Sequence, residues 1–206
     1  MSSYPYFYYR DESCFLDNGD VALRPICKSS GKMGHIISNA PKIQSQNISS
    51  TMCNPYQEIV TLLKTHNISY KDIEHEPVYT SAQAAQIRGI SASQGAKALL
   101  LKSENGFILA LLPGDRKLDS KKSKKLLRIK NLRFASPGEV KDTMGCEIGA
   151  CYPFGNLIRL PTYADNSLST NDTISFNPGV HTHSIEMKWQ DFYSLVKPKM
   201  VDISER

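Results

Sequence analysis

The stretch Lys97-Ala-Leu-Leu-Leu-Lys102-Ser-Glu-Asn105-Gly106-Phe107-Ile-Leu-Ala-Leu-Leu112 decides the fold class. Two short apolar runs flank a polar segment ending in Asn-Gly, the strongest local signal for a β-hairpin. Upstream, Asn54-Pro55-Tyr-Gln57 predicts a helix start, with Asn54 as cap, Pro55 in the first turn and Gln57 closing a capping box. Ile59, Val60, Leu62 and Leu63 give that helix an apolar stripe. Ser69 to Glu74 reads as a strand, and Thr80-x-x-Gln83 opens a second helix that stops at Gly89. Downstream, Asp119 to Arg128 reads as a Lys-rich helix and Leu132 to Ala135 as a strand. Ser136-Pro137-Gly-Glu139 starts a further helix that Gly145 ends. Leu157–Leu160, Thr173–Asn177 and Ser184–Met187 read as strands, and Lys188–Val196 as a last helix with Trp189, Phe192 and Leu195 on one side. Strands and helices mix without regular βαβ alternation, which predicts an α+β (mixed α/β) domain with a largely antiparallel sheet.

A chain of 206 residues with 40% hydrophobic side chains fits one packed domain with an extension. Residues 1–52 carry Tyr4, Tyr6, Tyr8 and Tyr9 and then Ser/Gly/Asn-rich sequence without a period; they read as a disordered, low-complexity extension. Residues 53–206 read as the folded domain. Five cysteines, an odd number with no C-x-x-C spacing, argue against a disulfide framework and a structural zinc site and for a reducing, cytoplasmic compartment. No apolar run reaches the length of a membrane span, and the N-terminus lacks a secretory pattern. The net charge of +5 is mild but uneven. Arg116 to Arg133 gathers Lys121, Lys122, Lys124 and Lys125 with five other basic residues against Asp119 alone. Such a cluster suits an acidic polymer, or simply forms a solvated helix face.

Candidate chemistry lies in Gly145-Cys-Glu-Ile-Gly149-Ala-Cys-Tyr-Pro153-Phe-Gly155, a glycine-rich loop stiffened by Pro153. Backbone N–H groups in such a loop can stabilise an oxyanion or hold a phosphate. Ala150, Cys151 and Tyr152 fill its middle; a nucleophilic Cys151 lacks a partner histidine in the sequence, and Cys146 reads as a buried thiol. Lys97 opens an apolar strand, where an ammonium needs either an anion or a route to the strand edge. His181 and His183 would share one side of a strand, but without a third ligand they predict no metal site. P-loop, G-x-G-x-x-G, G-x-S-x-G and H-E-x-x-H patterns are absent, leaving ATP hydrolysis, dinucleotide chemistry and a serine triad without support.

Taken in order, Gly95-Ala-Lys97, Phe107 to Asp115, the Gly149-x-x-x-Pro153 loop, Tyr163-Ala-Asp165 and Ser175-Phe-Asn177-Pro-Gly179-Val-His181-Thr-His183-Ser184 resemble the YbaK / prolyl-tRNA synthetase-associated domain family, from about Tyr56 to Ile203. The resemblance implies a mixed, partly barrel-like sheet surrounded by helices. It implies a trans-acting deacylase that hydrolyses the ester of mischarged tRNA, with tRNA(Pro) carrying Ala or Cys as the expected substrate. No cofactor or metal is implied. Lys97, Gly149 and Pro153 match the catalytic positions, and Ala150, Cys151, Tyr152, Asp165, Asn177, Gly179, His181 and Ser184 fall where substrate would bind. Asn177 and Ser184 depart from residues found in some relatives, which leaves the amino acid removed open, and Asp165 reads equally well as a turn residue. Expected partners are the acceptor end of mischarged tRNA, bound by the lysines of 121–125, and an aminoacyl-tRNA synthetase; the protein itself is expected to be a monomer. A non-catalytic tRNA- or synthetase-binding module on the same fold is the alternative.

Overall fold

The computed structural model describes residues 54–205, together with a two-residue antiparallel pairing of β1 (Cys14–Phe15) with β2 (Val21–Ala22). Apart from that pairing, the expectation of a disordered extension over residues 1–52 lies outside the described residues. The folded unit runs through α1 (Pro55–Thr65), β3 (Tyr70–Glu74), α2 (Ser81–Arg88), β4 (Ala96–Ser103), β5 (Gly106–Pro113), α3 (Ser120–Leu127), β6 (Leu132–Phe134) and α4 (Pro137–Met144). It continues through β7 (Thr162–Asp165), β8 (Thr173–Phe176), β9 (His183–Lys188), α5 (Trp189–Val196) and β10 (Lys199–Val201).

The predicted hairpin is the spine. β4 and β5 pair antiparallel from Ala96↔Pro113 to Ser103↔Gly106, with Gly106 at φ +118° closing the turn. A five-stranded sheet of order β10-β7-β5-β4-β6 grows from it, parallel across β5–β7 and β7–β10 and antiparallel elsewhere. The second sheet is antiparallel, of order β3-β9-β8. A single parallel bridge, Gly95 to Ser175, joins the two. Among the described residues the sheets do not close into a barrel, so the architecture is mixed α/β with two open sheets.

The core between sheets and helices holds Ile59 and Leu63 of α1, Leu109 and Leu111 of β5 and Phe192 of α5, each fully buried. Phe154 sits edge-on to Phe176 (5.4 Å) and to Phe192 (5.5 Å), tying the segment after α4 to β8 and α5. Edge-on aromatic pairs add about 1 kcal/mol each beyond their area.

Two local expectations change, and two strands appear that the pattern did not announce. Asn54 caps α1 by accepting the Tyr56 N–H (3.1 Å), without the predicted box to Gln57. The segment 157–160 is not a strand: a short 3-10 turn covers Gly155–Ile158, and the Leu160 N–H returns to the Gly155 carbonyl at 2.8 Å. Gly155 packs so tightly that a Cβ there would lie 2.0 Å from Thr162 Oγ1, which coils the chain and delays the strand to Thr162. The strands β7 and β10, of four and three residues, are too short to offer a period to read.

Candidate functional site

The N-terminal half of β4, the C-terminal part of α2 and the loop after α4 surround a cavity of about 380 Å3, within the range of small-ligand pockets. Each wall follows from a local rule. Thr80 caps α2 by accepting the Gln83 N–H, and Gly89 ends it at φ +65°. Ser136 and Glu139 form a full capping box on α4, and Gly145 ends it at φ +67°, which delivers Ile148, Gly149 and Cys151 to the cavity wall. Gly95 to Leu100 form the floor.

Arg88 and Lys97 are the charged residues in this wall, and among the described residues no carboxylate lines it. The Lys97 ammonium donates to the carbonyls of Gly114 (3.4 Å) and Arg116. Burial lowers its pKa and Lys117 adds to the effect, while Asp115 opposes it. Arg88 is held by neutral groups: its Nε donates to Ser184 Oγ at 2.7 Å and its other arm to the Asn177 side-chain carbonyl. Burial without a countercharge brings its pKa down to about 10, which leaves the guanidinium charged at neutral pH.

Arg88 belongs to a chain of hydrogen bonds that ends on the glycine loop. His75 Nδ1 donates to the Glu76 carbonyl (2.8 Å), so its Nε2 accepts from Ser184 Oγ at 2.7 Å. Ser184 accepts from Arg88, Arg88 donates to Asn177, and the Asn177 amide donates to the Gly149 carbonyl at 2.6 Å. Gly149 is at φ +92°, and a Cβ there would lie 3.0 Å from His181 Cε1. His181 is itself fixed, donating from Nδ1 to the Val78 carbonyl (2.9 Å).

The loop amides divide. The Ala150 N–H donates to the Glu147 carbonyl (3.1 Å). Cys151 itself stands in the cavity wall, and the neighbouring Gly149 and Cys151 amides act on its thiol in the direction that lowers its pKa. The Cys146 thiol, followed by these amides, lowers the Cys151 pKa against the effect of burial. The same interaction with Cys151, together with burial, raises that of Cys146.

The structure brings Lys97, Gly149, Cys151 and Asn177 together around the cavity. His181 and Ser184 stand one layer behind. Ala150 and Tyr152 do not face it: both are 1% exposed, and the Tyr152 hydroxyl donates to the Met144 carbonyl. Pro153 is buried and acts on the shape of the loop. Gly179, at φ +98°, packs against Pro55 and Tyr152. Asp165 lies elsewhere, accepting the N–H groups of Ser167 (3.0 Å), Ile203 (2.9 Å) and Ser204 (2.8 Å), so it pins the C-terminal segment to the end of β7. Among the described residues no three His, Cys, Asp or Glu side chains converge as a metal site, and His183 turns to Asp72 (3.1 Å) and Tyr56. No described helix is long and apolar enough to cross a membrane. Arg88 and His75 carry no mark in the sequence that sets them apart. An arginine in the last turn of a helix reads as a dipole partner, and only its bonds to Ser184 of β9 and to Asn177, far along the chain, turn it inward.

The family model for aminoacyl-tRNA editing domains matches residues 75–195. The multifunctional Ser/Thr-tRNA deacylase ProXp-y of Escherichia coli K12 is 33% identical over 154 residues, covering 71% of this chain and 91% of its own length. A proline–tRNA ligase of Bacillus licheniformis is 31% identical over 128 residues, 62% of this chain and 21% of the ligase. Among solved structures, a protein assigned as a trans-editing enzyme for prolyl tRNA synthetase superposes with a TM-score of 0.66 at 27% identity, over 74% of this chain and 98% of that one. The matched residues 75–195 take in the cavity from Tyr79 to Asn177 and the His75–Ser184–Arg88 network behind it, and the chain belongs to the aminoacyl-tRNA editing domain family.

Proposed function

We propose that this protein is a trans-acting deacylase that hydrolyses the ester linking a small wrong amino acid to the 3′ end of a tRNA. The observation that carries the reading is the cavity itself. Among the described residues two cations and no carboxylate line it, and the glycine loop, through Ile148, Gly149 and Cys151, forms one wall. A ligand with phosphate on one side and a carbonyl on the other fits that arrangement. Lys97 and Arg88 attract the terminal nucleotide, and the ester carbonyl lies against the loop amides. Water attacks the carbonyl carbon, the loop amides stabilise the oxyanion, and the bond to the ribose oxygen breaks, that oxygen taking up the proton the water gives up. An aminoacyl ester is an activated acyl group, so positioning and charge stabilisation suffice without a protein nucleophile.

The floor of Ala98, Leu100 and Val140 leaves room for a small side chain. Pockets of this kind separate small side chains poorly by binding alone, which is the physical case for a second, hydrolytic sieve. Alanine and cysteine on tRNA(Pro) remain substrates to test. The relative's activity on Ser- and Thr-charged tRNA adds those two, with Thr80 and Asn177 as wall groups able to meet a hydroxyl. The lysine-rich α3 supplies the charge that draws the acceptor stem.

The test is a deacylation time course on Ala-, Cys-, Ser- and Thr-charged tRNA(Pro), and on cognate Ser- and Thr-tRNA, with wild type and Lys97→Ala. Release above the spontaneous rate by wild type and its loss in the variant is the expected result. No release from any of them, with salt-sensitive tRNA binding retained, would overturn the reading in favour of a non-catalytic binding module.

A further inference from the structure

Among the described residues, six large apolar side chains stand exposed, and three of them, Tyr79, Phe134 and Ile148, line the mouth of one cavity. A scatter of exposed apolar residues needs no explanation, but a cluster at the rim of a pocket marks a binding surface. Tyr79 is the most exposed of the six, at 66%, and its position is nonetheless fixed. Its ring packs against the His181 ring, tilted by 38° with centroids 4.6 Å apart. Its N–H donates to Gln83 Oε1 at 3.3 Å. The preceding Val78 is buried and doubly tied to His181, through its N–H to the His181 carbonyl (3.1 Å) and its carbonyl to His181 Nδ1 (2.9 Å). Tyr79 is thus backed by His181 on one side while most of its surface stays exposed. The same His181 lies 3.0 Å from the Cβ position of Gly149, so platform and loop share one support.

We propose that Tyr79 is a stacking platform for the 3′-terminal nucleobase of the RNA, with Ile148 covering its edge. The inference rests on the deacylase reading, which places the ester at the Gly149 loop. The amino acid then points to the apolar floor and the nucleoside to the mouth, where Tyr79 stands. An aromatic ring held rigid with a free face recognises any base by its π-surface, at low entropic cost and without reading sequence. That fits a subsite which meets the same terminal adenosine on every tRNA. Phe134, on the edge strand β6, is the competing platform across the mouth.

The probe is a tRNA whose terminal adenosine is replaced by 2-aminopurine riboside and carries the amino acid through an amide, which is not hydrolysed. Stacking quenches its fluorescence. Quenching on titration with wild type and Tyr79→Phe, its loss with Tyr79→Ala, and a KM for deacylation raised about tenfold in that variant are expected, the size of one base on one ring. Tyr193→Ala, which removes an exposed aromatic outside the cavity, serves as the control and changes neither readout. Deacylation by wild type without quenching would overturn the platform alone, as would quenching that survives Tyr79→Ala and is lost in Phe134→Ala. Quenching without deacylation would instead overturn the deacylase reading and leave the platform standing.

Discussion

The Asn177 side chain donates to the Gly149 carbonyl at 2.6 Å while its own carbonyl accepts from Arg88. The loop proposed to meet the ester carbonyl is thereby anchored to a half-buried guanidinium. Asn177→Ala removes that anchor and leaves Arg88 short of an acceptor. A misplaced reacting group costs about 100-fold, so single-turnover deacylation should slow by roughly that factor, with substrate binding changed far less. Arg88→Lys should follow it, because an ammonium cannot reproduce the fork that reaches Ser184 and Asn177 together.

Gly149→Ala places a methyl group 3.0 Å from His181 Cε1 at a φ of +92°. The conformation alone costs about 1–3 kcal/mol in a residue with a side chain. Thermal unfolding should show that loss, and deacylation should fall further than stability does, since the loop moves to escape the ring.

The Lys97 cation should show in the pH dependence of binding. Burial lowers its pKa, so the charge is present below that value and lost as pH rises through it, earlier than for a free lysine near 10.5. Affinity for an amide-linked, uncleavable 3′ end should therefore decline on the alkaline side below that point. Asp115 raises the Lys97 pKa, so Asp115→Asn should move the decline to lower pH. An unmoved limb would separate Lys97 from phosphate binding.

Asp165 should prove structural. It accepts three backbone N–H groups and the Ser167 hydroxyl. Burial raises its pKa, but these donors outweigh it and the net shift is downward. A depressed carboxyl stabilises the fold above its unfolded pKa, near 3.9, and loses that contribution as pH falls through the folded value. Asp165→Ala should cost on the order of 3 kcal/mol at neutral pH, seen as a melting temperature lower by roughly 10 °C, and should weaken the loss of stability in acid. Deacylation by the folded fraction should persist.

The lysines of α3 give a salt signature. Lys122 is partly committed to Asp202, so Lys121, Lys124 and Lys125 are the ones to change to Gln. Each phosphate left without its lysine should lower the slope of log affinity against log salt by about 0.7–0.9. An unchanged slope would assign the helix to solubility alone.

The caps, the hairpin and both glycine stops at 89 and 145 were legible because each is a local contest between a few residues and the backbone. Lys97 and the Gly149 loop stood out for the same reason, being residue types at odds with an apolar strand and a regular helix. The run 157–160 shows the limit: its apolar pattern fits a strand, and what overrules it is the lack of room beside Gly155. Tyr152, Asp165 and Gly179 carry no local mark that separates packing from binding. Their roles were set by Met144, by Ile203 and Ser204, and by Pro55, partners distant in the chain or on another element.

The sequence by itself determined the secondary elements around the cavity, the mixed class, and the lysine and glycine loop that stand in its lining. The tertiary structure alone decided that Arg88 turns inward, that Asn177 holds Gly149, and that Tyr79 is backed by His181 yet stays exposed. These depend on α2, the glycine loop and the approach to β9 converging in space, and a one-dimensional pattern carries no record of such long-range convergence.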